Sequence, residues 1–147
     1  MSAPANAAPR AVMVYGLLGV IPFWSLPAAS LFASQDLGLA GTIEVLYAAL
    51  ILSFLGGARW GLAVREPAPD PIVVGLAMIP TLAALAALIF LHGLMRPQLL
   101  VFAVLLALCC AWDISASGLP AWYGRVRTTL TLGAVAGLCV GALQAAP

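Results

Sequence analysis

Lysine is missing from the chain altogether, and histidine occurs once. Of 147 residues only 7% are charged, six of them Arg and five Asp or Glu, for a formal net charge of +1. Such a sparse, balanced charge excludes the basic field with which proteins hold nucleic acid. The cysteines Cys109, Cys110 and Cys139 are spaced neither as a disulfide framework nor as paired metal ligands. With His92 as the lone imidazole, a Cys/His zinc cluster has too few ligands. The three read as small apolar packing residues. No Ser/His/Asp set, H-E-x-x-H, P-loop or paired-carboxylate arrangement occurs. No catalytic residue, metal or cofactor is therefore assigned, and the sequence leans away from an enzyme.

What fills the chain instead is apolar: 64% of residues are hydrophobic, and the mean hydropathy is +1.12. A soluble domain is roughly 45–50% apolar and about 25% charged, so the bilayer is the natural solvent for this one. Five apolar segments follow a small, Pro-containing tail at residues 1–10, which is expected to be disordered. They cover about 11–33, 42–64, 71–91, 98–118 and 128–143, each near the ~20 residues that cross the hydrocarbon. The length and the prolines Pro22 and Pro27 set the first segment apart from a cleaved leader. The expected fold is an all-α integral membrane protein, a compact bundle of five transmembrane helices with short connections. Pro22 and Pro80 fall mid-segment and predict kinks. Arginine sets the orientation: with the amino terminus inside, the inner side carries Arg10, Arg65, Arg125 and Arg127, and the outer side only Arg96. This is an N-in, C-out topology.

Two charges sit too deep to be loop residues. Val45–Ala58 gives fourteen residues before Arg59, and Leu99–Trp112 gives fourteen before Asp113. Both runs are too short to span, so both helices must continue past the charge, the fourth through 118. Arg59 and Asp113 then lie at similar depth, roughly 5–10 Å below the inner surface at 1.5 Å per residue. A charge at that depth faces the bundle or finds a partner. The simplest reading is an Arg59–Asp113 pair with Tyr15 as a third member, with Arg125 and Arg127 as competing partners for Asp113, and the alternative is snorkelling of Arg59 to lipid phosphates. Trp122, Tyr123, Arg125 and Arg127 form a cationic and aromatic cluster suited to a head group at the inner surface. Glu44 lies about 60° from Arg59 around the helix, near the opposite surface. It reads as an acid in the first helical turn, complementing the dipole. Small residues recur every fourth position at Ala49, Ser53, Gly57 and Gly61, and again at Thr129, Gly133, Gly137 and Gly141. Such ridges let helices approach closely in lipid, and Gly57 is the expected neighbour of the fifth-helix ridge.

Two blocks, YAALILSFLGGARWGLA at 47–63 and LPAWYGRVRTTLT at 119–131, resemble the hallmarks of the domain of unknown function 3429 family, and YGLLGVIPF at 15–23 is similar to its first-helix block. The resemblance covers nearly the whole chain. It implies a membrane architecture in a family of bacterial inner-membrane proteins with a mitochondrial relative, and it leaves the activity open. On the residues, the favoured reading is a non-enzymatic accessory, assembly or scaffold component of a larger membrane complex, or of a homo-oligomer, in the bacterial inner membrane. The alternatives are a small oligomeric transporter or channel using Glu44, Arg59 and Asp113, and a lipid- or quinone-binding protein or enzyme. Reporter fusions at Pro147 and in the 34–41 connection are both expected to read as external, and a cytoplasmic carboxyl terminus overturns the topology.

Overall fold

The computed structural model describes residues 8–32, 37–115 and 119–145. Their helices are α1 (Arg10–Phe32), α2 (Leu37–Ala63), α3 (Pro71–Leu76), α4 (Ile79–Phe90), α5 (Met95–Ser115) and α6 (Ala121–Gln144). Five stretches are long and apolar enough to cross a membrane, with α3 and α4 together forming one of them, Pro71–Phe90. Consecutive spans run antiparallel. One end of the bundle therefore gathers the start of α1, the end of α2, the end of α5 and the start of α6, and the other end gathers their opposite termini. The expected tail up to residue 7, and the expected continuation of the fourth span over 116–118, lie outside the described residues.

Prolines punctuate the third span as their chemistry requires. Asp70 caps α3 by accepting from the Ile72 N–H at 2.8 Å, with Pro71 opening the helix. Pro80 has no N–H for the carbonyl of Leu76, and α3 ends at Leu76. In α1, Pro22 and Pro27 both lie within one continuous helix. Pro27 frees the carbonyl of Phe23, which stands where a Cβ on Gly137 would be. Two helix starts differ from the sequence expectation. α2 begins at Leu37 rather than 42, and α6 begins at Ala121 rather than 128. Pro120 precedes α6 at its cap, and nothing in AWYGRVR breaks a helix, so the aromatic and basic residues form the first two turns of the span.

Helices meet where small residues and short polar contacts allow it, because lipid supplies no hydrophobic drive between them. On α6, a Cβ at Gly133 would meet Val20, one at Gly137 the Phe23 backbone, and one at Gly141 the Glu44 carboxylate. The indole of Trp24 donates to the carbonyl of Gly133 at 3.0 Å. The partner of this face is thus α1, joined at its end by Glu44 of α2, and not Gly57. A Cβ at Gly57 or Gly61 would meet nothing within 4 Å. The α2 glycines that stand close to neighbours are Gly41, whose Cβ would lie 2.8 Å from Met95 Sδ, and Gly56, whose Cβ would lie 2.7 Å from the carbonyl of Ala77. Ala49 is buried on α2, and Ser53 accepts from Thr81 of α4 at 3.3 Å. Tyr47 of α2 donates to the carbonyl of Gly19 on α1 at 2.7 Å, and its ring meets Phe23 edge-on at 5.0 Å. Gln98 of α5 donates to the carbonyl of Ala87 on α4 at 3.5 Å. Phe23, Leu52, Phe102, Leu106 and Leu138 fill the centre, each at most 2% exposed.

Gly137→Leu is expected to destabilise the protein in detergent by about 1–3 kcal/mol or more, since overpacking here moves backbone as well as side chains. Gly57→Ala is expected to be neutral, or stabilising by up to about 1 kcal/mol. Equilibrium unfolding of both variants checks the pair, and equal losses would show that α6 has no closer contact at its glycines than α2 has at Gly57.

Candidate functional site

Asp113 sits near the end of α5, and its partner comes from α6. The Nε of Arg127 donates to its carboxylate at 2.7 Å, with both side chains about 10% exposed. The Nη1 of the same guanidinium donates to Thr131 Oγ1 at 2.8 Å. Its Nη2 is buried with no partner. The reason lies in where α6 begins. Started at Ala121, the helix carries Tyr123, Arg127 and Thr131 on one face at i, i+4 spacing. That face of α6 turns toward Asp113 on α5.

The expected Arg59–Asp113 pair is therefore absent. The guanidinium of Arg59 lies 4.6 Å from the centre of the Trp112 ring, and its Nε is buried without a partner. What an arginine meets in this apolar run is the π-face of the residue preceding Asp113, an attraction worth about 0.5–2 kcal/mol depending on desolvation. Arg59 still belongs to the same neighbourhood, since the Trp112 ring it meets directly precedes Asp113.

Tyr15 falls elsewhere than beside Arg59. It is 74% exposed and lines a cleft of about 220 Å³ between α1, α2, α5 and α6, walled by apolar side chains such as Val20, Phe54 and Leu130. Phe54 is 69% exposed, so the mouth faces the surrounding hydrocarbon. Arg127 and Thr131 supply the polar lining. The four residues expected as an inner-surface head-group site divide. Arg127 is buried in the bundle, Trp122 and Tyr123 are half-buried and meet edge-on at 6.1 Å, and Arg125 is exposed.

Glu44 departs furthest from expectation. With α2 starting at Leu37, it lies two turns inside the helix instead of in the first turn. It is 1% exposed, and its Oε1 has no partner. Sequence reasoning missed it because a helix start placed at 42 turns a buried acid into a surface cap. The signal that finds it is the apolar LGLAGTI ahead of it, long enough to be helical. Sequence reasoning held Arg127 only as a competitor of Arg59 for Asp113 for the same kind of reason, a helix start set seven residues late.

A family model described as "Protein of unknown function (DUF3429)" matches residues 8–143. Among curated proteins, the chain is similar to Transmembrane protein 69 of Xenopus tropicalis, 36% identical over 140 residues, covering 92% of this chain and 54% of that protein. It is also similar to Transmembrane protein 69 of Mus musculus, 32% identical over 85 residues, covering 56% of this chain and 35% of that protein. The chain spans about half the length, or less, of these curated relatives. No solved structure matches.

Breaking one side of a buried ion pair leaves the other charge unpaired and costs about 3–5 kcal/mol in soluble proteins. Arg127→Leu and Asp113→Leu are each expected to lose stability, with the double variant losing less than the two singles summed. Arg59→Leu is expected to be closer to additive with Asp113→Leu. A double-mutant cycle in detergent checks this, and coupling larger for residue 59 than for residue 127 would reassign the pair.

Proposed function

The chain belongs to the DUF3429 family, and we propose that it is a non-enzymatic accessory component of a bacterial inner-membrane complex that holds the polar end of an amphiphile in its α1/α2/α5/α6 cleft. The observation that carries this reading is the spare donor of Arg127. Its pair with Asp113 is already neutral, so Nη2 can serve an acceptor without stranding a charge in hydrocarbon. A donor buried without a partner costs free energy, and a carbonyl or phosphate oxygen in the cleft relieves that cost. Thr131 stands beside it, and the apolar walls suit a chain. At about 220 Å³ the cleft falls below the ~300–1,000 Å³ of pockets that enclose a drug-sized ligand. It suits one end of a molecule whose remainder stays in the bilayer. With the amino terminus in the cytoplasm, the mouth opens to the inner leaflet. Lipids with ester carbonyls and quinones share this chemistry.

A conduction path through a single bundle is disfavoured. The side chains of Phe23, Leu52, Phe102, Leu106 and Leu138 close the centre between Glu44 and Arg127, and a dry apolar core of this kind bars ions and polar solutes.

Purification in mild detergent followed by native mass spectrometry tests both parts of the proposal. The wild type is expected to retain a carbonyl- or phosphate-headed amphiphile together with a stoichiometric partner protein. Leu130→Trp, which fills the cleft without touching the ion pair, is expected to lose the amphiphile. The same bound lipid in both preparations overturns the cleft, and a wild type that purifies with no partner protein overturns the accessory role.

A further inference from the structure

At the opposite end of the bundle, Glu44 lies beside a second cavity, of about 480 Å³, between the end of α1, the start of α2, the start of α5 and the end of α6. Its carboxylate rests over Gly141, at the place a Cβ there would need. The glycine leaves room for the acid. The residue is 1% exposed and its Oε1 has no partner, although a buried carboxylate is costly unless a cation or donors meet it. Among the described residues, the lining contains one cation, Arg96. Arg96 is exposed, and among the described residues the one ion pair is Asp113–Arg127. Acid and base thus share the cavity without bridging each other, one deep and one at the rim.

From this arrangement we infer that the cavity takes a zwitterionic phosphoethanolamine head group, that of an aminophospholipid in the bilayer, with the ammonium on Glu44 and the phosphate on Arg96. A primary ammonium brings three N–H donors and a compact charge to the buried carboxylate. A guanidinium at the rim suits a phosphate. A quaternary ammonium has no N–H to give, and its recognition relies on aromatic cages. Among the described residues, no aromatic side chain lines the cavity. A lone carboxylate also falls short of the six to eight oxygens that a hard dication gathers. The lipid source follows from the surroundings: Leu94 on the wall is 53% exposed, and Leu26, Met95 and Leu99 continue the wall with apolar surface for the glycerol and first methylenes. The inference stands apart from the Arg127 cleft and does not rest on it.

Titration of the delipidated full chain with phosphatidylethanolamine and with phosphatidylcholine of the same acyl chains, read by native mass spectrometry, tests it. The wild type is expected to prefer the ethanolamine lipid by about tenfold or more, about 1.4 kcal/mol, which one charge-assisted hydrogen bond can supply. Glu44→Gln keeps the size of the side chain and removes the buried charge, so the fold is expected to persist. The preference should collapse to near unity in that variant. Arg96→Gln is expected to weaken both lipids and keep their ratio. Equal binding of the two lipids by the wild type, or an unchanged preference in Glu44→Gln, overturns the inference. Soluble phosphoethanolamine that competes as well as the lipid overturns the lipid source.

Discussion

A charge inside hydrocarbon has to be answered by the protein itself, and the Asp113–Arg127 pair is where this bundle does so. The two residues come from neighbouring antiparallel helices, so their 2.7 Å contact pins the depth at which α5 and α6 meet. Sliding one helix by a turn, about 5.4 Å, would separate the charges with no water to replace either partner. Thr131 locks the guanidinium further. The register of α6 then decides which of its faces reaches α1, and with it where Gly133, Gly137 and Gly141 fall.

The remaining contacts work within that register. α6 approaches α1 closely because three of its positions carry no side chain, and Pro27 in α1 leaves the Phe23 carbonyl without its usual helical donor just where Gly137 stands. α2 is tied to α1 by the Tyr47 hydroxyl and to α4 by the Ser53–Thr81 contact. Each tie joins side chains or carbonyls that would otherwise face hydrocarbon, and double-mutant cycles on such bonds in membranes average about 0.6 kcal/mol. None of them alone holds the bundle, and together they select one arrangement among the many that apolar helices could share.

The two ends of the bundle have different chemistry. Around Arg127 the charge of Asp113 is paired and the Nη2 of the guanidinium is spare. Around Glu44 an acid is buried, and among the described residues the one base lining the cavity stays at the rim. Between them the core is apolar and filled. Polar sites at both ends with a closed centre are the arrangement on which the two proposed head-group sites rest.

Length and hydropathy alone carried the membrane class, the five spans and the pairing of short connections, because an apolar run of sufficient length has one comfortable solvent. Composition also marked Arg59 and Asp113 as charges at depth, and the four-residue spacing marked the α6 glycines. The partners were decided by tertiary structure. Whether Asp113 meets Arg59 or Arg127 turns on the rotation of α6, which follows from a start at Ala121 that no hydropathy window resolves, since Trp, Tyr and Arg suit an interfacial helix and a loop equally. Glu44 turned from a surface cap into a buried acid by the same shift of a helix start. Gly56 rather than Gly57 meets a neighbour because adjacent residues point about 100° apart, and only the fold sets which of those directions holds protein and which holds lipid.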